Sequence, residues 1–192
     1  MYPGGLWEVS STSKSIYLTF DDGPEPSSTP FILDTLKEFD AKATFFCIGE
    51  NAVAHPELFQ RMIDEGHAVG NHGFKHLKGW GMKTKDYVAN ALQSRDIFPT
   101  NLYRPAYGKM TNAQCKALKK EGFQVVFWTL ISYDFDSTFS SEARMKMLMK
   151  KAKSRSNVVF HDSIKAFPQV KDELPKLLEY WKNQGYSFKA IP

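Results

Sequence analysis

The chain has 192 residues, 42% of them apolar, and a formal net charge of +4. It is long enough to enclose one sizeable core, and its composition excludes a disordered or membrane-embedded chain. The mild positive balance tolerates an anionic partner but is too small to argue for nucleic acid.

Met1 to Ser15 is rich in Gly, Ser and Thr and reads as a surface arm pinned by Leu6 and Trp7, with residues 16–192 as a single domain. The arm lacks the basic stretch and apolar stretch of a secretory leader, and no apolar run has the length of a membrane span. A cytoplasmic location is therefore expected if the chain is complete, and a monomer is the default. Ile16 to Phe20 reads as a short apolar strand, ended by Asp21-Asp22-Gly23-Pro24. Thr29 and Pro30 read as N-cap and first residue of a helix, with Ile32, Leu33, Leu36 and Phe39 as its apolar stripe. Ala43 to Ile48 reads as a buried strand ended by Gly49, Pro56 to Glu65 as a helix closed by Gly66, and Ala68 to Asn71 as a strand. Thr84 is the expected cap of a helix reaching about Ile97. Asn101 to Tyr103 is a short strand, Thr111 caps the next helix, and Gly122 ends it. Gln124 to Leu130 reads as one strand, Ser141 to Arg155 as a helix, and Asn157 to Phe160 as a strand. A helix over Val170 to Asn183 contains Pro175, which is tolerated in a first turn, so its start is placed near Asp172. Tyr186 to Ala190 is the last strand. Cys47, in an apolar strand, and Cys115, in a helix, read as buried thiols rather than a disulfide framework. Strands alternating with helices predict an α/β fold with a parallel sheet, either open or closed into a barrel.

Polar residues recur at one end of successive strands. Asp21 and Asp22 follow the first strand, His72 the third, Arg104 the fourth, Asp134 the fifth and His161 the sixth. In parallel α/β folds chemistry sits at the carboxyl ends of strands, so one shared mouth is expected. Adjacent carboxylates repel and call for solvent, a metal or an Arg nearby. His72 and His76 lie four apart, and on a helical turn they would share a face and reach one metal. Two His and one Asp leave coordination positions open, the mark of a catalytic site. Zinc fits this set, as do other divalent ions including iron. Arg104, before a rigid Pro105 turn, can hold Asp21 by a bidentate contact and keep it ionised. Tyr107-Gly108 can leave a backbone N–H facing an oxyanion. His161 can donate a proton to a leaving group. His67 and His55 read as a core or turn residue and a helix-start residue. Met145, Met147, Leu148 and Met149, among Lys146, Lys150, Lys151 and Lys153, read as an apolar stripe beside a solvated basic face.

With these residues in hand, the chain resembles the NodB-homology polysaccharide deacetylases, carbohydrate esterase family 4, from about Ile16 to Ile191. Thr19 to Pro24 matches the TFDDGP motif in full. His72 to His76 is similar to the H-(S/T)-x-x-H motif with Gly73 at the hydroxyl position, Arg104 to Gly108 matches the RPxYG form of the arginine motif, and Val159-Phe160-His161 is similar to L-x-H. The resemblance implies a distorted (β/α)7 barrel, with Asp21 as general base, Asp22, His72 and His76 as ligands of a divalent metal (zinc first, with cobalt, nickel or iron as alternatives), and His161 as general acid. It implies that Arg104 orients Asp21 and that the Tyr107 amide helps hold the oxyanion. The implied substrate is an acetylated glycan, N-acetylglucosamine in peptidoglycan or chitin, or O-acetyl groups of xylan in some members, and the implied location is the cell envelope or outside the cell. One motif departs: after Trp128, Ile131 stands where the family has an Asp that supports the Arg, and Phe135 where it has a Trp. Only Asp134 matches, and Asp136 is the candidate substitute. Two other functions compete with deacetylation, a non-catalytic sugar-binding barrel and a non-haem iron enzyme.

Overall fold

The computed structural model describes residue 2, residues 4–98 and residues 100–192. Its elements in chain order are β1 (Ser15–Asp22), α1 (Thr29–Glu38), β2 (Ala43–Cys47), α2 (Gly49–Ala54), α3 (Pro56–Asp64), β3 (Ala68–Asn71), α4 (Thr84–Arg95), β4 (Leu102–Tyr103), α5 (Asn112–Lys120), β5 (Gln124–Val125), β6 (Leu130–Ile131), α6 (Ser141–Lys151), β7 (Asn157–His161), α7 (Phe167–Asn183) and β8 (Ser187–Phe188). All described strand pairings are parallel, in the order β5-β4-β3-β2-β1-β7-β6, with β8 against β1. The strands curl into the distorted (β/α)7 barrel.

The run read as one strand over Gln124 to Leu130 closes that barrel. Its first residues pair with β4 at one edge of the sheet and its last with β7 at the other. The chain between them crosses the gap, so it cannot keep one partner and splits into two short strands. The period-2 alternation of β1 sorts its side chains. Ile16, Leu18 and Phe20 pack outward with Leu33, Leu36, Leu174 and Trp181 of the helices. Tyr17 packs inward with Phe46, Leu102 and Val126, which turns Thr19 and Asp21 toward the barrel interior.

Local chemistry sets the helix ends. Thr111 caps α5 in a full capping box with Gln114. Ser28, not Thr29, is the N-cap of α1, because Thr29 is already helical and its hydroxyl is turned to Asp162. Lys83 rather than Thr84 occupies the cap position of α4. Helix α6 stops at Lys151, short of Arg155, and Gly49 opens α2 rather than merely ending β2. Helix α7 begins at Phe167 and carries Pro175 inside it. A mid-helix proline costs about 3 kcal/mol; burial of Val170, Leu174, Leu177, Leu178 and Trp181 outweighs it. In the arm, Leu6 bridges Val126 and Trp7 stacks on Phe127 with ring centres 4.3 Å apart; Met1 and Pro3 lie outside the described residues. Cys47 and Cys115 are free and buried. His67 is a core histidine, its Nδ1 accepting the Ala43 N–H at 3.2 Å and its imidazole pushed down to about 4 by burial. No helix among the described residues is long and apolar enough to cross a membrane.

Candidate active site

Asp22 leaves the strand with φ 85°, a region costly for any residue with a side chain. Asn51 holds the bend by donating to its carbonyl at 2.8 Å. Gly23 follows because a Cβ there would lie 2.1 Å from the Asp162 carboxylate. The bend separates the two acids: Asp21 stays inside the barrel and Asp22 reaches the rim.

The His72–His76 segment is a bend, not the helical turn expected from the spacing. Gly73 takes φ 88°, and a Cβ there would meet the Asn90 amide at 2.6 Å, which accounts for glycine at the family's hydroxyl position. Asn71 accepts the Gly73 N–H at 2.7 Å, while Asn90 bonds both the N–H and the carbonyl of Lys75 at 2.9 and 3.0 Å. The ring centres of His72 and His76 end 5.0 Å apart. His72 Nδ1 lies 2.8 Å from the Arg104 carbonyl. A carbonyl can only accept, so Nδ1 carries the proton and the Nε2 lone pair faces the rim. His72 Nε2 is 3.6 Å and His76 Nε2 3.3 Å from Asp22 Oδ1. The three donor atoms lie within 4.8 Å of one another. Asp22 Oδ1 is buried without a hydrogen-bond donor, a costly state that a divalent cation would relieve. The residues present therefore fit a metal, with positions left for water and substrate.

Arg104 is completely buried beneath this triad. Its Nη1 donates to Asp21 Oδ1 and Thr19 Oγ1, both at 2.7 Å. Its Nη2 donates to the Phe127 carbonyl at 3.2 Å and Asn157 Oδ1 at 3.3 Å. The contact with Asp21 is thus through one nitrogen, not bidentate, because the second is spent on neutral acceptors. Asp136 is not the substitute for the carboxylate missing at Ile131; its side chain accepts from the Thr138 N–H and hydroxyl at 3.0 and 2.6 Å. Burial pushes Asp21 up, but Arg104, His72 and His161 outweigh it and hold the carboxyl below its ordinary 3.8.

At the end of β7, Asp134 Oδ2 accepts the His161 N–H at 2.7 Å and Oδ1 the Nδ1–H at 2.7 Å, turning Nε2 outward. Burial would lower the imidazolium, but the charge of Asp134, with its hydrogen bond and with Asp21 and Asp22, lifts it from 6.5 to about 9. Phe135 stands edge-on to His161 with ring centres 5.0 Å apart. Tyr107, in a 3-10 turn over Ala106–Gly108, has φ 58° and packs its ring 4.5 Å from that of His76. Among the described residues its N–H donates to no backbone acceptor. Asp21, Asp22, His72, His76, Tyr107 and His161 all line one cleft of about 540 Å³, walled on its apolar side by Trp128, Ile131, Phe135 and Val159. Arg104 lies beneath it.

Sequence reasoning missed the parts that hold this constellation. Asn157 is one. Arg144 is another: its Nε and Nη2 grip Glu173 at 2.7 to 3.0 Å, and its Nη1 donates to the carbonyls of Tyr133, Asp136 and Phe139. The clamped loop carries Asp134. Asp162, beside His161, is a third. It accepts from Thr29 Oγ1 at 2.6 Å and from Ser28, and burial outweighs those bonds to push its carboxyl up to about 7.

The profile of the polysaccharide deacetylase family matches residues 8–126. The chain is 34% identical over 191 residues to a peptidoglycan-N-acetylglucosamine deacetylase of Bacillus cereus, covering 96% of this chain and 90% of that one. It is 32% identical to the peptidoglycan-N-acetylmuramic acid deacetylase PdaA of Bacillus subtilis, covering 95% of this chain and 72% of that one. Its fold is similar to the crystal structure of the Bc1960 peptidoglycan N-acetylglucosamine deacetylase, with a TM-score of 0.92 at 28% identity over 98% of this chain and 91% of that one. The family profile and these relatives show that the chain, with its own acids, imidazoles and guanidinium gathered at one barrel mouth, belongs to the polysaccharide deacetylase family, the hydrolases of carbohydrate esterase family 4.

Proposed function

We propose that this chain hydrolyses the acetamide of N-acetylated hexosamines in peptidoglycan-type glycans, with Asp21 as general base, His161 as general acid, and a divalent ion, zinc by preference, on Asp22, His72 and His76. The observation that carries this reading is the cleft itself: Asp21, held below its ordinary range by Arg104, and His161, lifted to about 9 by Asp134, line the same cleft as the triad. Similarity to enzymes named for peptidoglycan supports the substrate class.

Asp22, His72 and His76 would hold the ion, which would supply Lewis acidity toward the acetyl carbonyl and a more acidic water. Asp21 accepts the proton of the attacking water through Oδ2, since Oδ1 is engaged by Arg104. The water oxygen bonds to the carbonyl carbon, and the Tyr107 N–H, which has no backbone acceptor among the described residues, is the donor we assign to the oxygen that gains charge. The C–N bond then breaks as His161 Nε2 gives its proton to the leaving nitrogen, yielding acetate and a free amine. Ile131, Val159 and Phe135 give the cleft an apolar wall that suits the acetyl methyl.

The test is acetate release by zinc-loaded protein from peptidoglycan and chitooligosaccharides; binding of both without release would overturn the reading in favour of a sugar-binding barrel. Asp22→Ala is expected to lose bound zinc, measured by mass spectrometry, together with activity, and stoichiometric zinc in that variant would refute the ligand assignment. The general acid works protonated, so turnover is expected to hold through neutral pH and fall as pH rises past about 9. Removing the Asp134 charge by Asp134→Asn is expected to move that alkaline limb down by about 1–2 pH units. An unmoved limb in the kcat profile would exclude His161 as the group titrating.

A further inference from the structure

Beyond the cleft lies an aromatic side chain that the fold leaves half-exposed. Trp80 is 54% exposed, although burying an indole would stabilise the fold. Its N–H is already used, donating to the Met110 carbonyl at 3.0 Å, so the ring offers a face rather than a donor. Its mounting is rigid. The buried Gln114 amide donates to the carbonyls of Gly79 and Met82 at 2.7 and 3.1 Å, and the Gly79 N–H donates to the Lys109 carbonyl at 2.9 Å. A Cβ at Gly79 would lie 2.6 Å from Gln114 Oε1, so the loop sits hard against its support. Two ammonium groups lie over the ring, Lys78 Nζ at 5.9 Å and Lys109 Nζ at 5.3 Å from its centre, and both side chains are long and flexible enough to swing aside for a ligand. Lys109 also lines the cleft, so the platform continues the reaction site.

A fixed, exposed aromatic face suits the C–H face of a pyranose, which carries partial positive charge toward the ring's negative one. The two cations over it suit an anion on that same sugar or the next. We propose that Trp80, Lys78 and Lys109 form a glycan subsite next to the catalytic cleft, which takes a hexosamine unit bearing a carboxylate. It deepens the deacetylase reading and rests on it. The subsite would favour strands that carry a carboxylate near the acetamide to be cleaved over uncharged chains of the same length.

The substrates for the test are tetramers alternating N-acetylglucosamine and N-acetylmuramic acid, with free lactyl carboxylates or with those carboxylates amidated. The double variant Lys78→Met/Lys109→Met is expected to lower kcat/KM for the acidic tetramer by about tenfold more than for the amidated one. Trp80→Ala is expected to raise KM for both by about tenfold. Equal losses on the two tetramers in the lysine variant, or an unchanged KM in Trp80→Ala, would overturn the subsite. If the wild-type protein releases no acetate from either tetramer, the deacetylase reading fails by itself. The subsite is then read by binding: tighter acidic than amidated tetramer in wild type, lost in the lysine variant, supports it, and equal affinities refute it.

Discussion

Asp21→Asn is expected to lower kcat for acetate release by about 10²–10⁴-fold while leaving the protein folded. The amide oxygen can still accept from Arg104 Nη1, where Asp21 Oδ1 does so at 2.7 Å, so the geometry survives and the basicity does not. The change also leaves the buried guanidinium without a counter-charge, because its other partners, Thr19, Asn157 and the Phe127 carbonyl, are neutral. Breaking a buried pair from one side costs about 3–5 kcal/mol, so the denaturation midpoint should fall as well. Asp21→Asn/Arg104→Met removes both charges and should regain part of that stability without regaining turnover. A single variant with kcat within tenfold of wild type would mean that another group takes the proton.

Arg144→Met is expected to destabilise the fold by about 3–5 kcal/mol, the cost of stranding Glu173 in the interior. Both residues are only 2% exposed, so solvent screens the pair weakly. The same change frees the carbonyls of Tyr133, Asp136 and Phe139 and loosens the loop that delivers Asp134 to His161. The alkaline limb of the kcat profile should therefore move to lower pH, in the direction of Asp134→Asn. Glu173→Gln is the control: it keeps the three carbonyl bonds and should lose stability with less change in the limb. A stable Arg144→Met variant with an unmoved limb would show that the loop holds its shape unaided.

Asp21, Asp22, His72, Arg104 and His161 were legible because each sits where an apolar strand stops, and strand ends are marked by Gly, Pro and a break in pattern. Period-2 alternation likewise separates Asp21 from the outward residues of β1. The supports were illegible because they are set by distance in space. Asn157 reads as an ordinary strand start and Arg144 as one more cation on a basic helix; nothing local says that either ends buried against a loop from elsewhere. The bend at His72–His76 defeated a helical reading because Asn71, Gly73 and Asn90 impose a different route between the same endpoints. Helix α7 defeated the proline rule because its apolar stripe is buried deeply enough to override a local cost. The run from Gln124 looked like one strand since periodicity carries no information about which neighbour a residue pairs with.

One residue touches both halves of the chemistry. The carbonyl of Arg104 fixes the His72 ring at 2.8 Å, and its guanidinium fixes Asp21 at 2.7 Å. The spacing between the proposed cation cage and the proposed proton acceptor is thus set within a single amino acid, like two jaws on one spindle. Drift in the surrounding loops would carry both jaws together, so such loops are free to diversify in what they grasp while the reacting centre keeps its gauge.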